Sequence, residues 1–411
     1  MPPYKHENNS TAKNEEELDE NKKLTSQLIS YWRFPFLVSF YLLISPFHLE
    51  FIDVENFHLH TCVTQKILWV VSNTLNICVC FAEIGLYWRK THAEQEGDHT
   101  YATLKLNQML PDVYDLIDIV CLTVHLCSVY LFLWVTWKKR LKLGKSLELL
   151  MDAAQKLGIC SKNVLCKRTV LIITLLTFLK PIFQILGCLE VAGGDIKMTF
   201  WLAINESIIL RIDPSLPVTP FAFTAIFLYT QLNFFNFTDA ICILSVLLMG
   251  LYVNAFLEKL ESGKLTAYQV FHLYSVLKQA SRAINKITEI IFVGFLVGSS
   301  TYYPYAILKL VESDLYSDRL FTFTNLIYHC VVWGYAAHLN GKMKKLDKWL
   351  SLNYLALKPH DLQIFIYYMG KNEIGIHPFK SVLINYGFCR SLMAIVLTYA
   401  IILVQFRKPL P

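Results

Sequence analysis

The sequence has few charged residues and lacks the short motifs that identify most enzymes. Charged residues make up 17% of the 411 positions, whereas soluble domains run near a quarter. There is no glycine-rich phosphate loop, no HExxH and no GxSxG, which are the motifs of phosphate binding, zinc hydrolysis and serine hydrolysis. We therefore predict that the protein is not an enzyme and uses no cofactor.

Four other absences narrow the class of protein further. None of the 11 cysteines forms a CxxC pair, so we expect no metal site. No basic patch with interleaved aromatic residues is present, which argues against a nucleic-acid partner. There is no internal repeat of the kind that secondary transporters carry. The first 30 residues are polar, unlike a secretory signal.

What the sequence does have is long apolar runs. Hydrophobic residues make up 54% of the chain and the mean hydropathy is +0.39. A helix needs about 20 apolar residues to cross a bilayer. We predict an all-α membrane protein with seven transmembrane helices, at 66–88, 113–137, 169–190, 220–252, 288–311, 321–340 and 382–406.

The N-terminal region is predicted to stay on one side of the membrane. Residues 1–32 form a polar tail that we place in the cytosol. The apolar segment 33–51 contains Arg33, Pro35, Pro46 and His48. A span with these residues would be short and interrupted, so we expect 33–51 to associate with the membrane without crossing it.

The distribution of charge predicts an inverted topology, with a cytosolic N-terminus and an extracellular C-terminus. Residues 138–168 carry nine basic and two acidic residues, 253–287 five and two, and 341–380 seven and three. The alternate loops together hold six basic and ten acidic residues. Basic loops remain cytoplasmic. The sequon at Asn205 then lies outside, where it is a candidate for glycosylation.

Two of the basic loops have the pattern of amphipathic helices. Residues 139–168 and 256–287 carry leucines and isoleucines at helical spacing among basic residues. We expect the inner ends of the spans to continue as helices into the cytosol and to pack together there. The alternative is that these helices lie flat on the inner leaflet.

The last apolar segment carries a family resemblance. It ends in Thr398-Tyr399, five apolar residues and Gln405-Phe406, and Ile384-Asn385 lies thirteen residues before Thr398. Both elements resemble the C-terminal signature of insect gustatory receptors, and they occupy the same place in the chain. Sugar receptors of that family typically have Glu after Thr-Tyr, where this sequence has Ala400, so the resemblance favours a bitter or other non-sugar ligand.

The resemblance implies a tetrameric, tastant-gated, non-selective cation channel in the plasma membrane of sensory neurons. In such a channel residues 66–340 form a ligand-binding bundle of six helices, 341–380 a cytosolic anchor, and 381–406 the pore-lining seventh helix. The implied partners are a small-molecule tastant, cations in the pore, the lipid bilayer, and identical or related gustatory receptor subunits. Two alternatives are an odorant receptor of the same superfamily and a non-channel seven-helix receptor or transporter.

Candidate site residues follow from the side chains that stand in the apolar segments. Polar groups inside a membrane face protein or water. Because the last helix lines the pore in the family, the resemblance implies a pore and gate at Thr398, Tyr399, Ile402, Gln405 and Phe406. The alternative for Gln405 is a bond to a neighbouring helix. Candidate ligand contacts are Asp118, Tyr229, Gln231, Asn233, Tyr302, Tyr305, Asn325, Tyr328, His329 and Trp333. An interfacial aromatic belt explains some of these tyrosines equally well.

A lone charge inside the membrane is costly unless it is paired. Lys180 lies near the middle of the apolar segment 169–190. We therefore expect Lys180 to pair with an acid in another segment, one of Glu83, Asp115, Asp118 and Asp239.

Overall fold

The structure analysed is a computed structural model of the chain. It describes residues 8–41, 45, 48–51, 57–71, 74, 127–138, 140–179, 218–263, 265–312, 316–353, 363, 367, 374–379 and 382–406.

The described part of the chain is built mainly of long α-helices. They are α1 (Asn8–Tyr41), α2 (Arg140–Lys156), α3 (Lys167–Phe178), α4 (Val218–Glu261), α5 (Ala267–Glu312), α6 (Tyr316–Lys342), α7 (Lys344–Asn353) and α8 (Tyr386–Phe406). Residues 63–71 and 127–138 are also helical. The all-helical class predicted from the sequence therefore describes the body of the protein.

One short β-ribbon interrupts the helical pattern. Strand β1 (His48–Phe51) pairs with β2 (Phe57–His60) in antiparallel register, with His48 opposite His60. The described residues of the predicted membrane-associated segment 33–51 thus include the end of α1 and the strand β1. Helix α1 also runs through the boundary predicted at residue 32, because Leu24, Leu28 and Trp32 are buried in the core.

Helices α4 and α5 form the centre of the bundle. They pack against each other, while α2, α6 and α8 contact α5, and α1, α3 and α6 contact α4. At 44 and 46 residues each is about 65–70 Å long, roughly twice the thickness of a bilayer core. Gly294 of α5 allows close approach to the 127–138 helix, since a Cβ there would lie 2.2 Å from Ser128 Oγ.

The connection between α4 and α5 is a tight turn with a helix cap. Gly263 supplies a positive φ of 67° after the last turn of α4. Thr266 and Gln269 form a capping box, in which the Thr266 N–H donates to Gln269 Oε1 at 2.8 Å and the Gln269 N–H donates to Thr266 Oγ1 at 3.4 Å. The two central helices therefore return as an antiparallel pair.

The amphipathic segments pack into a shared core, as predicted. Leu257 of α4 and Leu277 of α5 are buried with Leu147, Leu150 and Leu157 in the same cluster. Tyr252 donates a hydrogen bond of 2.7 Å to the Leu150 carbonyl, joining α4 to α2. Since these apolar faces are covered by other helices, the alternative of helices lying flat on lipid does not describe this region.

Two described stretches are long and apolar enough to cross a bilayer, Asn236–Glu261 and Ala267–Ser300, and the apolar helix Tyr386–Ile402 is shorter. Length and composition alone do not separate such stretches from the core helix of a soluble protein. The count of seven spans and their inverted orientation therefore remain predictions.

Tryptophans and lysines cluster at one end of the 127–138 helix. Lys138 Nζ lies 5.5 Å from the ring centroid of Trp134, and Lys66 Nζ lies 5.8 Å from that of Trp137. Trp134 is 60% exposed. This contact brings the start of one predicted span beside the end of the next, as neighbouring antiparallel helices require, and Trp with Lys is typical of a membrane interface.

Candidate pore helix and ligand-binding region

Helix α8 begins at a well-formed N-cap. Asn385 precedes its first residue, and the Asn385 Oδ1 accepts a hydrogen bond of 2.8 Å from the Phe388 N–H. Asn is among the best N-cap residues because its side chain satisfies an amide that has no partner within the helix. The Ile384-Asn385 element of the sequence signature thus has a structural role, with Ile384 fully buried beside the cap.

The turn that leads into α8 is tied to α5 and α6. Asn285 Nδ2 donates to the Gly375 carbonyl at 2.8 Å, and the His377 N–H donates to Asn285 Oδ1 at 3.0 Å. Ser281 Oγ donates to the same Gly375 carbonyl at 3.2 Å. Asn340 of α6 donates to the Ile374 carbonyl at 3.2 Å. The start of the candidate pore helix therefore has a fixed position on the bundle.

Beyond its first turn, α8 contacts its own chain along a single narrow stripe. Leu392, Val396 and Ala400 are buried, at successive i, i+4 positions. Val396 packs on Tyr303 and Ala306 of α5. The residues around this stripe are exposed apolar side chains, among them Met393, Ile395, Leu397, Tyr399, Ile401 and Ile402.

The polar residues of α8 lie on the face opposite the buried stripe. At about 100° per residue, the polar Thr398 and Gln405 lie about 160° and 180° around the helix from Val396, and the apolar Ile402 lies on the same side at about 120°. All three are exposed in the single chain. Thr398 Oγ1 donates to the Ala394 carbonyl at 2.8 Å, as hydroxyls on apolar helices commonly do. The polar face therefore points away from the chain's own bundle.

A second polar site lies inside the bundle, where α4, α5 and α6 meet. Ser299 Oγ donates to the Phe295 carbonyl at 2.6 Å and accepts from Trp333 Nε1 at 3.2 Å. His329 Nδ1 lies 3.0 Å from the same Oγ, and His329 Nε2 lies 3.4 Å from Asp239 Oδ1. All of these side chains are nearly or fully buried.

Aromatic rings surround the imidazole of His329. The Phe295 ring stacks on it with centroids 4.2 Å apart, and the Tyr303 ring meets it edge-on at 5.0 Å. Tyr328 Oη donates to the backbone carbonyl of Asp239. Three predicted ligand contacts, Tyr328, His329 and Trp333, are thus brought together, and each bonds to groups of the protein.

The remaining predicted site residues are placed less completely. Asn325 is partly buried on α6, one turn from His329. Tyr229, Gln231 and Asn233 belong to α4, and Tyr302 and Tyr305 to α5, but their side chains lie outside the described residues. The same holds for the side chain of Phe406, and Asp118, Lys180 and Asn205 lie entirely outside the described residues.

Sequence reasoning missed several residues that build these sites. Ser299, Phe295, Ser281 and Asn285 carry no motif, and each is identified only by what it meets across the bundle. Asp239 is one of the acids considered for Lys180, and it faces His329. Both members of this pair are ionisable residues inside apolar segments, which is the signal that points to a polar interior site.

A separate cleft in the described part of the chain is apolar. An apolar crevice lies between α1, α2 and α4, lined by residues such as Trp32, Met151 and Leu248. Among the described residues, no group of three or more His, Cys, Asp or Glu side chains is arranged to hold a metal ion.

The arrangement of helices is similar to that of solved insect receptor structures. Olfactory receptor OR5 from Machilis hrabei matches over 90% of this chain and 97% of its own, with 13% sequence identity and a TM-score of 0.51. The chain has the fold of an insect olfactory receptor. The structure of the same receptor in complex with eugenol gives a TM-score of 0.54, with 13% identity over 90% of this chain and 98% of that one. No protein-family model and no curated protein sequence matches the chain.

This receptor fold extends over nearly the whole length of both chains. Since identity is only 13%, the likeness is one of helix arrangement rather than of conserved side chains. It agrees with the helical bundle described above.

Proposed function

We propose that this chain belongs to the insect chemoreceptor superfamily and is a gustatory receptor subunit. Four copies form a tastant-gated, non-selective cation channel in the plasma membrane of chemosensory neurons. The observation that carries the proposal is the orientation of α8. Its polar stripe, which contains Thr398 and Gln405 with Ile402 between them, lies away from the stripe that packs on the chain's own bundle.

Lipid tails offer no hydrogen-bond partners to the polar side chains that α8 exposes. Polar groups inside a membrane face protein or water, so the stripe containing Thr398 and Gln405 is the one to expect toward a water-filled axis. The exposed side chains beside it, such as Leu397 and Tyr399, would then meet other copies or lipid. A ring of branched aliphatic side chains with few polar groups closes by dewetting and conducts when the helices separate.

The ligand is proposed to bind between the outer halves of α4, α5 and α6. This region contains the aromatic and amide side chains predicted from the sequence, including Asn325 and Tyr328. Concave sites with apolar walls and a few polar groups are typical of small-molecule recognition. The Thr398-Tyr399-Ala400 sequence favours a bitter or other non-sugar tastant over a sugar.

Cysteine accessibility tests the pore assignment directly. Ile402→Cys places a thiol on the exposed side of α8, and Val396→Cys places one in the buried stripe, about 120° away around the helix. A positively charged methanethiosulfonate reagent, applied outside during a ligand-evoked current, is expected to block Ile402→Cys and to leave Val396→Cys unchanged relative to the wild-type chain. Equal modification of both, or block of Val396→Cys alone, would contradict the orientation of α8.

A second variant tests the polar group itself. Gln405→Ala is expected to change the size or ion selectivity of the current at an unchanged level of protein on the cell surface. Met393→Ala, at an exposed residue about three turns before Gln405 on α8, is the matched control. A current unaffected by Gln405→Ala favours the alternative in which Gln405 bonds to a neighbouring helix.

The likeness to an olfactory receptor solved with eugenol favours one alternative, an odorant receptor of the same superfamily. Calcium imaging of cells expressing the chain separates the two. Responses to water-soluble tastants support the gustatory assignment, whereas responses confined to volatile compounds support the odorant receptor.

A further inference from the structure

Two lysine ammonium groups lie over a pair of exposed tryptophan rings at one end of the 127–138 helix. Lys138 Nζ is 5.5 Å from the ring centroid of Trp134, and Lys66 Nζ is 5.8 Å from that of Trp137. Both distances are within the range of a cation–π contact. The two tryptophans are three residues apart and 60% and 38% exposed, so they are neighbours on one face of the helix. Two positive charges are therefore gathered at one exposed aromatic surface.

The surface next to these charges is apolar. The 63–71 helix runs antiparallel to the 127–138 helix, since Lys66 contacts Trp137 while Trp69 meets Tyr130 edge-on at 6.3 Å. The exposed apolar residues that follow Lys66 on this helix are Ile67, Leu68, Val70 and Val71. The patch thus has a cationic end and an apolar side, which is the complement of a lipid with an anionic headgroup and acyl chains.

The sequence around both lysines adds to the positive charge. Residues 138–145 contain five basic and no acidic residues, and no acidic residue lies between Glu55 and Glu83. A lysine ammonium binds phosphate as a point charge, and lysines at the membrane surface attract anionic lipids. An anionic phospholipid matches both the cationic end and the apolar side of the patch, whereas a free phosphate ion matches only the cationic end.

We propose that Lys66, Trp134, Trp137 and Lys138 bind the headgroup of an anionic phospholipid, whose acyl chains lie along the exposed side of the 63–71 helix. The proposal rests on the proposed orientation of the chain, in which the basic residues after Trp137 face the cytosol, so the lipid belongs to the inner leaflet. The indole rings hold the ammonium groups at the level of the headgroup phosphates, because an indole is both apolar and a cation–π partner.

The experiment compares two brominated lipids, which quench tryptophan fluorescence on contact. The purified full-length protein is reconstituted in phosphatidylcholine vesicles that contain either brominated phosphatidylserine or brominated phosphatidylcholine. The wild-type protein should be quenched more by the serine lipid, because that lipid carries a net negative charge. The double variant Lys66→Gln and Lys138→Gln keeps both tryptophans as reporters. Its preference for the serine lipid, expressed as a ratio of binding constants, should fall about tenfold or more.

The control is the double variant Lys145→Gln and Lys162→Gln, which removes two exposed lysines of the same basic segment. Its preference should stay within about twofold of wild type. Lys138→Gln alone should lower the preference about threefold or more, and it replaces the first double variant if that protein does not fold. Inorganic phosphate at constant ionic strength should not lower the preference, because it has no acyl chains.

Three outcomes would each overturn the proposal. They are equal quenching of the wild type by the two lipids, an equal fall in the control variant, and displacement of the serine lipid by inorganic phosphate. Quenching is measured without any current, so a negative result here is distinguishable from a failure of the channel proposal, which the ligand-evoked current tests.

Discussion

Asn285 provides a test of how firmly the start of α8 is held. Its side chain donates to the Gly375 carbonyl and accepts from the His377 N–H, at 2.8 Å and 3.0 Å. A hydrogen bond contributes about 0.5–1.5 kcal/mol net, so Asn285→Leu should lower the free energy of unfolding by about 2 kcal/mol. Leucine is close to asparagine in size, so lost packing contributes little to the difference.

The expected shift in Tm follows from the size of the protein. One kcal/mol shifts the Tm of a 150–250-residue domain by about 2–4 °C, and the shift becomes smaller as the chain lengthens. Asn285→Leu should therefore lower the Tm by about 2–4 °C in a fluorescence or size-exclusion thermal assay. Ser281→Ala removes one bond of 3.2 Å to the same carbonyl and should lower the Tm by about half as much.

The control for this experiment is another asparagine to leucine change. Asn353 Nδ2 donates to the Trp349 carbonyl within its own helix, at 2.8 Å. Asn353→Leu should leave the Tm within about 1 °C of wild type, as most changes of a locally bonded, partly exposed side chain do. If Asn285→Leu behaves like Asn353→Leu, the bonds to the 374–384 turn do not hold α8 in place.

Two further predictions concern the inner part of the bundle. Tyr252→Phe removes the buried hydrogen bond to the Leu150 carbonyl and should lower the free energy of unfolding, measured in a thermal assay, by about 1 kcal/mol. Its control is Tyr268→Phe, which changes an exposed tyrosine and should have no effect. The Ser161 backbone N–H, which donates to Glu20 Oε1 at 2.8 Å, lowers the pKa of the Glu20 carboxyl. A carboxyl whose pKa is lower in the folded state stabilises the fold at pH values above its unfolded pKa of about 4.3, and this stabilisation is lost as the pH falls below that value. Glu20→Gln should therefore reduce the loss of Tm on acidification. An unchanged acid dependence of the Tm would contradict the role of this contact.

The helical architecture could be predicted from local patterns along the chain. The runs 220–252 and 288–311 lie within α4 and α5, and the amphipathic spacing at 256–287 predicts the helical turns that extend beyond them. The ribbon of His48–Phe51 and Phe57–His60 was not predicted, because strands of four residues are too short to leave a clear periodic signal. The extension of α1 into the core was also missed, since Leu24, Leu28 and Trp32 stand among polar residues.

The two candidate sites differ in how far they could be predicted from the sequence. The pore stripe of α8 lies within one helix, so the spacing of Thr398, Ile402 and Gln405 places all three on one face. The interior site joins Asp239, Ser299 and His329, which are far apart in the chain. No pattern within a single helix predicts that these three residues contact one another.

The sequence by itself determined that this protein is a bundle of long apolar helices ending in a helix with one polar stripe. Composition and periodicity can be read from residues that are close in the chain. The hydrophobic effect buries the apolar face of a helix whatever the arrangement of the other helices. Only the tertiary structure decided that this stripe points away from the bundle, and that His329 faces Asp239 across the junction of three helices. Those facts depend on how the helices are rotated against each other, and that rotation is set by packing between residues distant in the chain.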